Sequence, residues 1–316
     1  MLIPTFDDVL AAHERVRPHV HRTPVLTNGH LDGLSSASLF FKCENFQKVG
    51  AFKARGACNA VFSLTDEEAK RGVATHSSGN HGQAIAYAAA RRGIAATIVM
   101  PETAARPKFD GVRGYGGEVV TCAPGTKARE ETVAGVLERT GAAFLHPFDD
   151  ARVIAGQGTA ALELLQDAGP LDAIVAPVGG GGLISGTCLA ASGLSPATKV
   201  FAAEPEQADD AYRSKRAGHI VEDDAPQTVA DGLKASLKPL TFHFVSQHVE
   251  AVLPVSEQEI VDAMRLVWER MKIVIEPSSA VAVAAVLKNR ELFAGQRVGV
   301  ILTGGNVDLD RLPWAG

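Results

Sequence analysis

Nowhere in this 316-residue chain is there a run of about 18 apolar residues, the length a helix needs to cross a bilayer, so no membrane span is expected. Blocks of one charge are missing too. The net charge of -5 is spread over a sequence that is 21% charged, without the basic tract a nucleic-acid partner would call for. Cysteine is scarce: Cys43, Cys58, Cys122 and Cys188 are far apart and form no CxxC pair, which argues against a zinc site or a disulfide framework. Buried, reduced thiols are expected instead. The N-terminus carries Asp7 and Asp8 where a signal peptide would need basic residues, so a cytoplasmic location is expected. No internal repeat or low-complexity segment is evident.

What is present is enough apolar material, 46% of residues, to build a sizeable core, and a length beyond the usual single domain. From Gly72 onward, short β-branched runs alternate with amphipathic stretches. Strands are predicted at 73–76, 96–100, 118–121 and 143–146, with helices at 80–92, 107–115 and 126–140 between them. That interleaving predicts a parallel sheet in a compact α/β unit. A second series starts with the buried-strand run 173–178, then four glycines and a helix through Ala191. It continues with a strand at 199–203, helices near 257–272 and 278–289, and a strand at 297–302. The polar stretch 205–254 reads as loops and short helices. The expected organisation is a large domain of residues 1–65 and 151–316, with a small α/β domain, 72–149, inserted into it.

Three segments point to chemistry. Gly179-Gly180-Gly181-Gly182 lies between a predicted strand and a predicted helix, where backbone N–H groups and the helix dipole converge on an anion such as a phosphate. Its spacing is not the GxGxxG of a dinucleotide site, which disfavours a nicotinamide dehydrogenase. A plain flexible turn is the competing reading. Lys53, within Gly50-Ala51-Phe52-Lys53-Ala54-Arg55-Gly56, is by itself best read as a solvated lysine. To serve as a Schiff-base amine it needs a desolvated or cationic setting that lowers its pKa. The third segment, His76-Ser77-Ser78-Gly79-Asn80-His81-Gly82-Gln83, ends a strand and opens a helix. It gathers hydroxyls, an amide and an imidazole beside free N–H groups able to grip a carboxylate, with helix capping by Ser78 or Asn80 as the plainer alternative.

In this order, and with Glu276-Pro277-Ser278-Ser279-Ala280 and Thr303-Gly304-Gly305-Asn306, the chain resembles the fold-type II pyridoxal 5′-phosphate (PLP) enzymes. Within them it is similar to the serine/threonine dehydratases, and most of all to the branch of serine racemase and 3-hydroxyaspartate dehydratase. The resemblance runs from about Thr23 to Leu309. It implies an α/β fold like the β subunit of tryptophan synthase, with two open, twisted, mostly parallel sheets flanked by helices. It further implies that Lys53 bonds covalently to PLP and removes the substrate's α-proton, while Phe52 packs on the ring. Gly179, Gly180, Gly181 and Gly182 would hold the phosphate, Asn80 the ring's 3′-oxygen, and Ser77, Ser78, Gly79, Asn80 and His81 the substrate carboxylate. Glu276 joins the cofactor-binding set. Thr303 would face the pyridine nitrogen, where a neutral hydroxyl cannot hold that nitrogen protonated; the weaker electron sink favours β-elimination.

The resemblance implies finer points too. Ser78 matches a serine that serves the cofactor's other face in racemases, although a free hydroxyl is a poor base without activation. Glu204, Asp210 and the carbonyl of Ala208 are similar to a divalent-metal site in this branch, with oxygen ligands suited to Mg²⁺, Mn²⁺ or Ca²⁺. Arg129, near the start of a predicted helix where the dipole disfavours a cation, could receive a second carboxylate bidentately, making 3-hydroxyaspartate a substrate candidate beside serine and threonine. Ala51 and Ala235 stand where many relatives carry hydroxyls, which weakens a racemase reading. With the sequence ending just after Trp314, no C-terminal regulatory domain is expected. The expected activity is dehydration and deamination of a β-hydroxy amino acid to a 2-oxo acid and ammonia, by a homodimer. A serine racemase with side dehydratase activity is the alternative; a cysteine-synthase-type β-replacement enzyme and a non-catalytic PLP-binding protein stand further off.

Overall fold

The computed structural model describes residues 2–77, 79–104, 106–223 and 225–314. Its strands are β1 (Val25–Leu26), β2 (Ser38–Cys43), β3 (Val73–His76), β4 (Ala96–Pro101), β5 (Glu118–Cys122), β6 (Ala143–Phe144), β7 (Ala173–Pro177), β8 (Lys199–Pro205), β9 (Val252–Val255) and β10 (Arg297–Leu302). They form a six-stranded sheet in the order β1-β2-β10-β7-β8-β9 and a four-stranded sheet in the order β5-β4-β3-β6. Every pairing is parallel except β1 with β2.

Parallel strands need helical crossovers, and the crossovers cover both faces, so the central strands become apolar throughout. β7 shows this: all of Ala173–Pro177 is buried. Ala173 and Val175 face a core completed by the helices Glu257–Met271 and Pro277–Lys288, while Ile174 and Ala176 face the helices Ala151–Ala168 and Gly182–Leu194. The four-stranded sheet, drawn wholly from residues 73–144, is sandwiched in the same way. The helices Asn80–Arg92 and Lys53–Phe62 share one core with it, and the helix Thr126–Thr140 packs on its other face.

The expected strands and helices between residues 73 and 146 appear within two residues of their predicted ends. Between 205 and 254 lie two 3-10 turns and the helices Asp210–Ala217 and Pro239–His248. The four cysteines are free and buried. Among the described residues, no helix is long and apolar enough to cross a membrane.

In open parallel sheets, ligands gather beyond the carboxyl ends of the strands, where helix N-termini and loops converge. That edge is where the predicted site residues fall. β3 runs into Ser77 and Asn80, β6 into His146–Phe148, β7 into the four glycines and β10 into Thr303.

Candidate active site

The glycine segment is a tight cradle rather than a loose turn. Gly181 has φ of +90°, a conformation glycine adopts without strain, and the helix starts at Gly182. A Cβ on Gly180 would lie 2.3 Å from the Phe148 ring, and one on Gly179 would lie 2.8 Å from Leu233 Cα. All four glycines are buried, yet among the described residues nothing accepts a hydrogen bond from the N–H of Gly179, Gly180 or Gly181. Buried, unpaired amides at a helix N-terminus fit a phosphate.

Lys53 opens the helix Lys53–Phe62 and is half-buried. Its Nζ donates to the Pro147 carbonyl at 3.1 Å and stands 5.1 Å from the centroid of the Phe52 ring. Pro147 directly precedes Phe148, the ring that covers Gly180, so the amine and the glycine cradle meet on adjacent residues. Burial pulls the Lys53 amine down to about 8, against the Glu276 carboxylate, which pulls it up. The neutral, nucleophilic form is therefore a minor but usable fraction at neutral pH and becomes the major one above about 8.

Asn80 starts the helix Asn80–Arg92 behind an N-cap, Gly79, that has no side chain to offer. The capping alternative does not hold for Asn80. Its amide instead donates to Glu276 at 2.9 and 3.2 Å, and its carbonyl accepts from Asn306 Nδ2 at 2.9 Å. Glu276 is buried and pushed up to about 7, by burial and then by Asp231, with the Asn80 hydrogen bond opposing. Thr303 is buried just past β10; its carbonyl accepts from Phe52 N at 2.9 Å, while its hydroxyl makes no hydrogen bond among the described residues. That tie binds the end of β10 to the start of the lysine helix. Ser77 supports the loop by accepting from Gly79 N at 3.2 Å. Ser78 lies outside the described residues.

His81 is buried, and neither ring nitrogen makes a hydrogen bond of ordinary geometry. Burial, then the charge of Lys53, hold it well below the usual imidazole range, while the nearby Leu145 carbonyl works the other way. It is a neutral side chain. Sequence reasoning did not reach the segment His146–Phe148. His146 Nδ1 accepts from the N–H groups of Asp149 at 2.9 Å and Phe148 at 3.3 Å, so its proton sits on Nε2; burial pulls its pKa to about 4. The position just after β6, at the carboxyl end of a parallel strand, was the signal that could have found it.

Arg129 lies in the first turn of the helix Thr126–Thr140, and its charge is felt by His76, whose pKa is lowered by burial and then by Arg129. The arginine thus lies within electrostatic reach of the residue before Ser77. Glu204 and Asp210 are both buried, as is Ala208. Glu204 accepts from the backbone N–H groups of Ala211 and Tyr212, each at 2.9 Å, and Asp210 from that of Leu237 at 3.1 Å. Among the described residues neither has an ion-pair partner, and no cluster of three or more His, Cys, Asp or Glu is gathered around them. Burial and then Asp210 push Glu204 far above the usual carboxylate range. Arg213, paired with Asp209 and Asp223, acts on Asp210 only at longer range, so two adjacent buried carboxylates that lack a direct ion pair fit a cation.

Comparison with known proteins bears on the same constellation. The family model described as "Pyridoxal-phosphate dependent enzyme" matches residues 16–304. A beta-hydroxyaspartate dehydratase from Paracoccus denitrificans is 62% identical over 99% of this chain and 100% of its own length. An L-threo-3-hydroxyaspartate ammonia-lyase from Saccharomyces cerevisiae is 46% identical, over 98% of this chain and 96% of its own. The crystal structure of serine racemase from Dictyostelium discoideum superposes with a TM-score of 0.92 at 50% identity, covering 97% of this chain and 99% of that one. With a half-buried amine of lowered pKa set beside a cradle of unpaired glycine amides, the chain belongs to the family of pyridoxal-phosphate dependent enzymes, fold type II.

Proposed function

We propose that this protein is an ammonia-lyase that dehydrates and deaminates a β-hydroxy amino acid, 3-hydroxyaspartate foremost, to a 2-oxo acid and ammonia. The meeting of Lys53 with the glycine cradle through Pro147 and Phe148 carries the reading. The relatives named for hydroxyaspartate chemistry support the substrate.

Bound PLP supplies the electron sink that stabilises charge at the substrate's α-carbon. The protein's residues do the rest. Lys53 would hold the cofactor covalently, and its amine, at about 8 in the protein without ligand, would take the substrate's α-proton. Gly179–Gly182 receive the phosphate. Asn80, oriented from both sides by Glu276 and Asn306, would hydrogen-bond the cofactor, and Phe52 would pack against it. Thr303 would offer the cofactor a neutral hydroxyl rather than a charge, which would keep the sink weak and favour loss of the β-hydroxyl. The helix N-terminus at Asn80 and His81, with Ser77, Ser78 and Gly79, grips the α-carboxylate. Water lost in elimination is returned in hydrolysis, so the net products are the 2-oxo acid and ammonia.

Arg129 is the proposed partner of a β-carboxylate, and residues 72–149 are the proposed small α/β domain inserted into the larger one. A divalent cation, Mg²⁺ or a relative, would sit on Glu204, Asp210 and the Ala208 carbonyl and order that loop away from the substrate. The same reading includes a homodimer, checked by sedimentation, and a cytoplasmic location, consistent with four unpaired cysteines.

The test is release of oxaloacetate, pyruvate or 2-oxobutyrate from hydroxyaspartate, serine or threonine with PLP and Mg²⁺ present; silence across that panel refutes it. Faster formation of D-serine than of pyruvate would instead favour the second reading, a serine racemase, which the Dictyostelium structure supports. Arg129→Leu is expected to raise KM for 3-hydroxyaspartate at least about tenfold and to leave kcat/KM for serine within about twofold. Equal losses on both substrates would remove Arg129 from the specificity assignment.

A further inference from the structure

Behind the lysine helix, on the side away from the cleft, lies a group of charges that the proposed chemistry does not use. Lys42 on β2, Glu44 just past it, Arg55 in the helix Lys53–Phe62 and Glu163 in the helix Ala151–Ala168 are all buried, three of them with no exposure. Two cations and two anions make the set neutral. His13 and Asp167 approach its edge at 3.9 Å.

Arg55 is its hub. Its Nε and Nη2 donate to the two oxygens of Glu44 at 2.7 and 2.8 Å, and its Nη1 and Nη2 donate to the two oxygens of Glu163 at 2.9 and 2.7 Å. Thr159 Oγ1 and the His21 carbonyl accept from it as well. Lys42 Nζ completes the set, reaching Glu163 at 2.7 Å and the Thr23 carbonyl at 2.8 Å. A planar guanidinium held bidentately by two carboxylates tolerates very little rotation.

We infer that this buried quartet fixes the rotation of the helix that carries Lys53, making Arg55 a positioning residue for the cofactor-bearing amine. Residues two apart on an α-helix point about 200° away from one another, so locking Arg55 into the interior turns Lys53 toward the cleft. The helix has other ties, from Phe52 N to the Thr303 carbonyl at 2.9 Å, from Gly56 N to Gln157 Oε1 at 3.1 Å and from Arg15 to Asn59 Oδ1 at 2.6 Å, but each is a single hydrogen bond and none is forked like that of Arg55. It meets the helix Ala151–Ala168 along a glycine contact, where a Cβ on Gly156 would lie 2.6 Å from Gly56 Cα. Such a seam sets the distance between the helices and offers little shape to resist turning, and the hydrogen bonds across it, from Gly56 N to Gln157 and from Asn59 to the Arg152 carbonyl, are single contacts. Energetics point the same way. A buried ion network adds little net stability over well-packed apolar residues of similar volume, so what these four charges supply is geometry.

This inference rests on Lys53 being the PLP-bearing residue, and the experiment separates the two. The variants are R55K, which keeps the charge and loses the fork, and the apolar quadruple variant Lys42→Met, Glu44→Leu, Arg55→Met and Glu163→Leu. Each is followed by thermal melting of the apoprotein, by the rate at which added PLP develops the yellow absorbance of covalent attachment, and by kcat and KM. The quadruple variant is expected to melt within a few degrees of the parent, yet to attach PLP at least about tenfold more slowly, with kcat falling by a similar factor and KM within about twofold. R55K should show the same pattern more weakly. Parental attachment and parental kcat in a folded variant would overturn the inference, as would unfolding of both variants, which would make the quartet a stability element. The underlying reading is checked separately in the parent: if Lys53→Ala keeps the yellow band, the lysine assignment itself is wrong.

Discussion

The state of one amine governs whether this site can bind its cofactor at all. Lys53 is held near 8 because burial, which disfavours the charged form, outweighs the attraction of Glu276. Only the neutral amine attacks an aldehyde, so the rate of PLP attachment to the apoprotein should rise with pH through a midpoint of about 8 and flatten above it. Glu276→Gln removes the interaction that raises the lysine, and the midpoint should then move below 8. A pH series of pulsed amine labelling, read at Lys53 by mass spectrometry, measures both. Labelling that titrates like an ordinary exposed lysine, near 10.5, would mean that the amine is not desolvated. For stability the sign is fixed as well: Lys53 binds its proton more weakly in the folded protein, so between about 8 and 10.5 the unfolded chain carries more protons and this group makes the apoprotein more stable as pH rises.

At the scale of the element, the glycine cradle binds two requirements together: amides left free for an anion, and a backbone pressed against Phe148, Leu233 and Thr241. Gly180→Ala places a Cβ against the Phe148 ring, the same segment that holds Lys53 through Pro147. A stability loss of about 1–3 kcal/mol is expected from overpacking, together with PLP affinity weakened at least tenfold, since the amides and the amine are displaced together. Equilibrium denaturation and cofactor titration check it; an unchanged affinity would show that the cradle does not grip the cofactor. The four glycines were visible in the sequence because such a run between a buried strand and a helix costs backbone entropy that a plain turn does not require. The elements of the four-stranded sheet were equally legible, since β-branched runs and amphipathic stretches alternate there without interruption. The lysine helix was not, because Ala54, Gly56 and Ala57 give it no strong apolar stripe and its rotation comes from the buried charge of Arg55. His146–Phe148 was missed for a related reason: its importance comes from the carbonyl and the ring it brings across from the end of β6, and neither is a local property of its residues.

At the scale of the whole molecule, one buried group is left electrostatically incomplete by the protein alone. Where Arg55 and Lys42 face Glu44 and Glu163, buried charge is matched within the chain. Glu204 and Asp210, at the far end of the same sheet, accept from backbone N–H groups and, among the described residues, form no ion pair, Arg213 being engaged with Asp209 and Asp223 and reaching Asp210 only through its field. A ligand that binds only the folded state stabilises it by an amount set by its concentration relative to Kd, about 2.7 kcal/mol at a hundredfold excess. For a chain of this length that corresponds to a rise in Tm on the order of 4 °C. Chelation should therefore lower Tm by a few degrees, and Mg²⁺ or Ca²⁺ should restore it. Asp210→Asn should make the protein insensitive to both while leaving the yellow band of the holoenzyme in place, because Asn keeps an oxygen to accept from Leu237 N. A Tm indifferent to chelator and to divalent ions, in parent and variant alike, would leave the two carboxylates to be neutralised by protons and would remove the metal from the proposal.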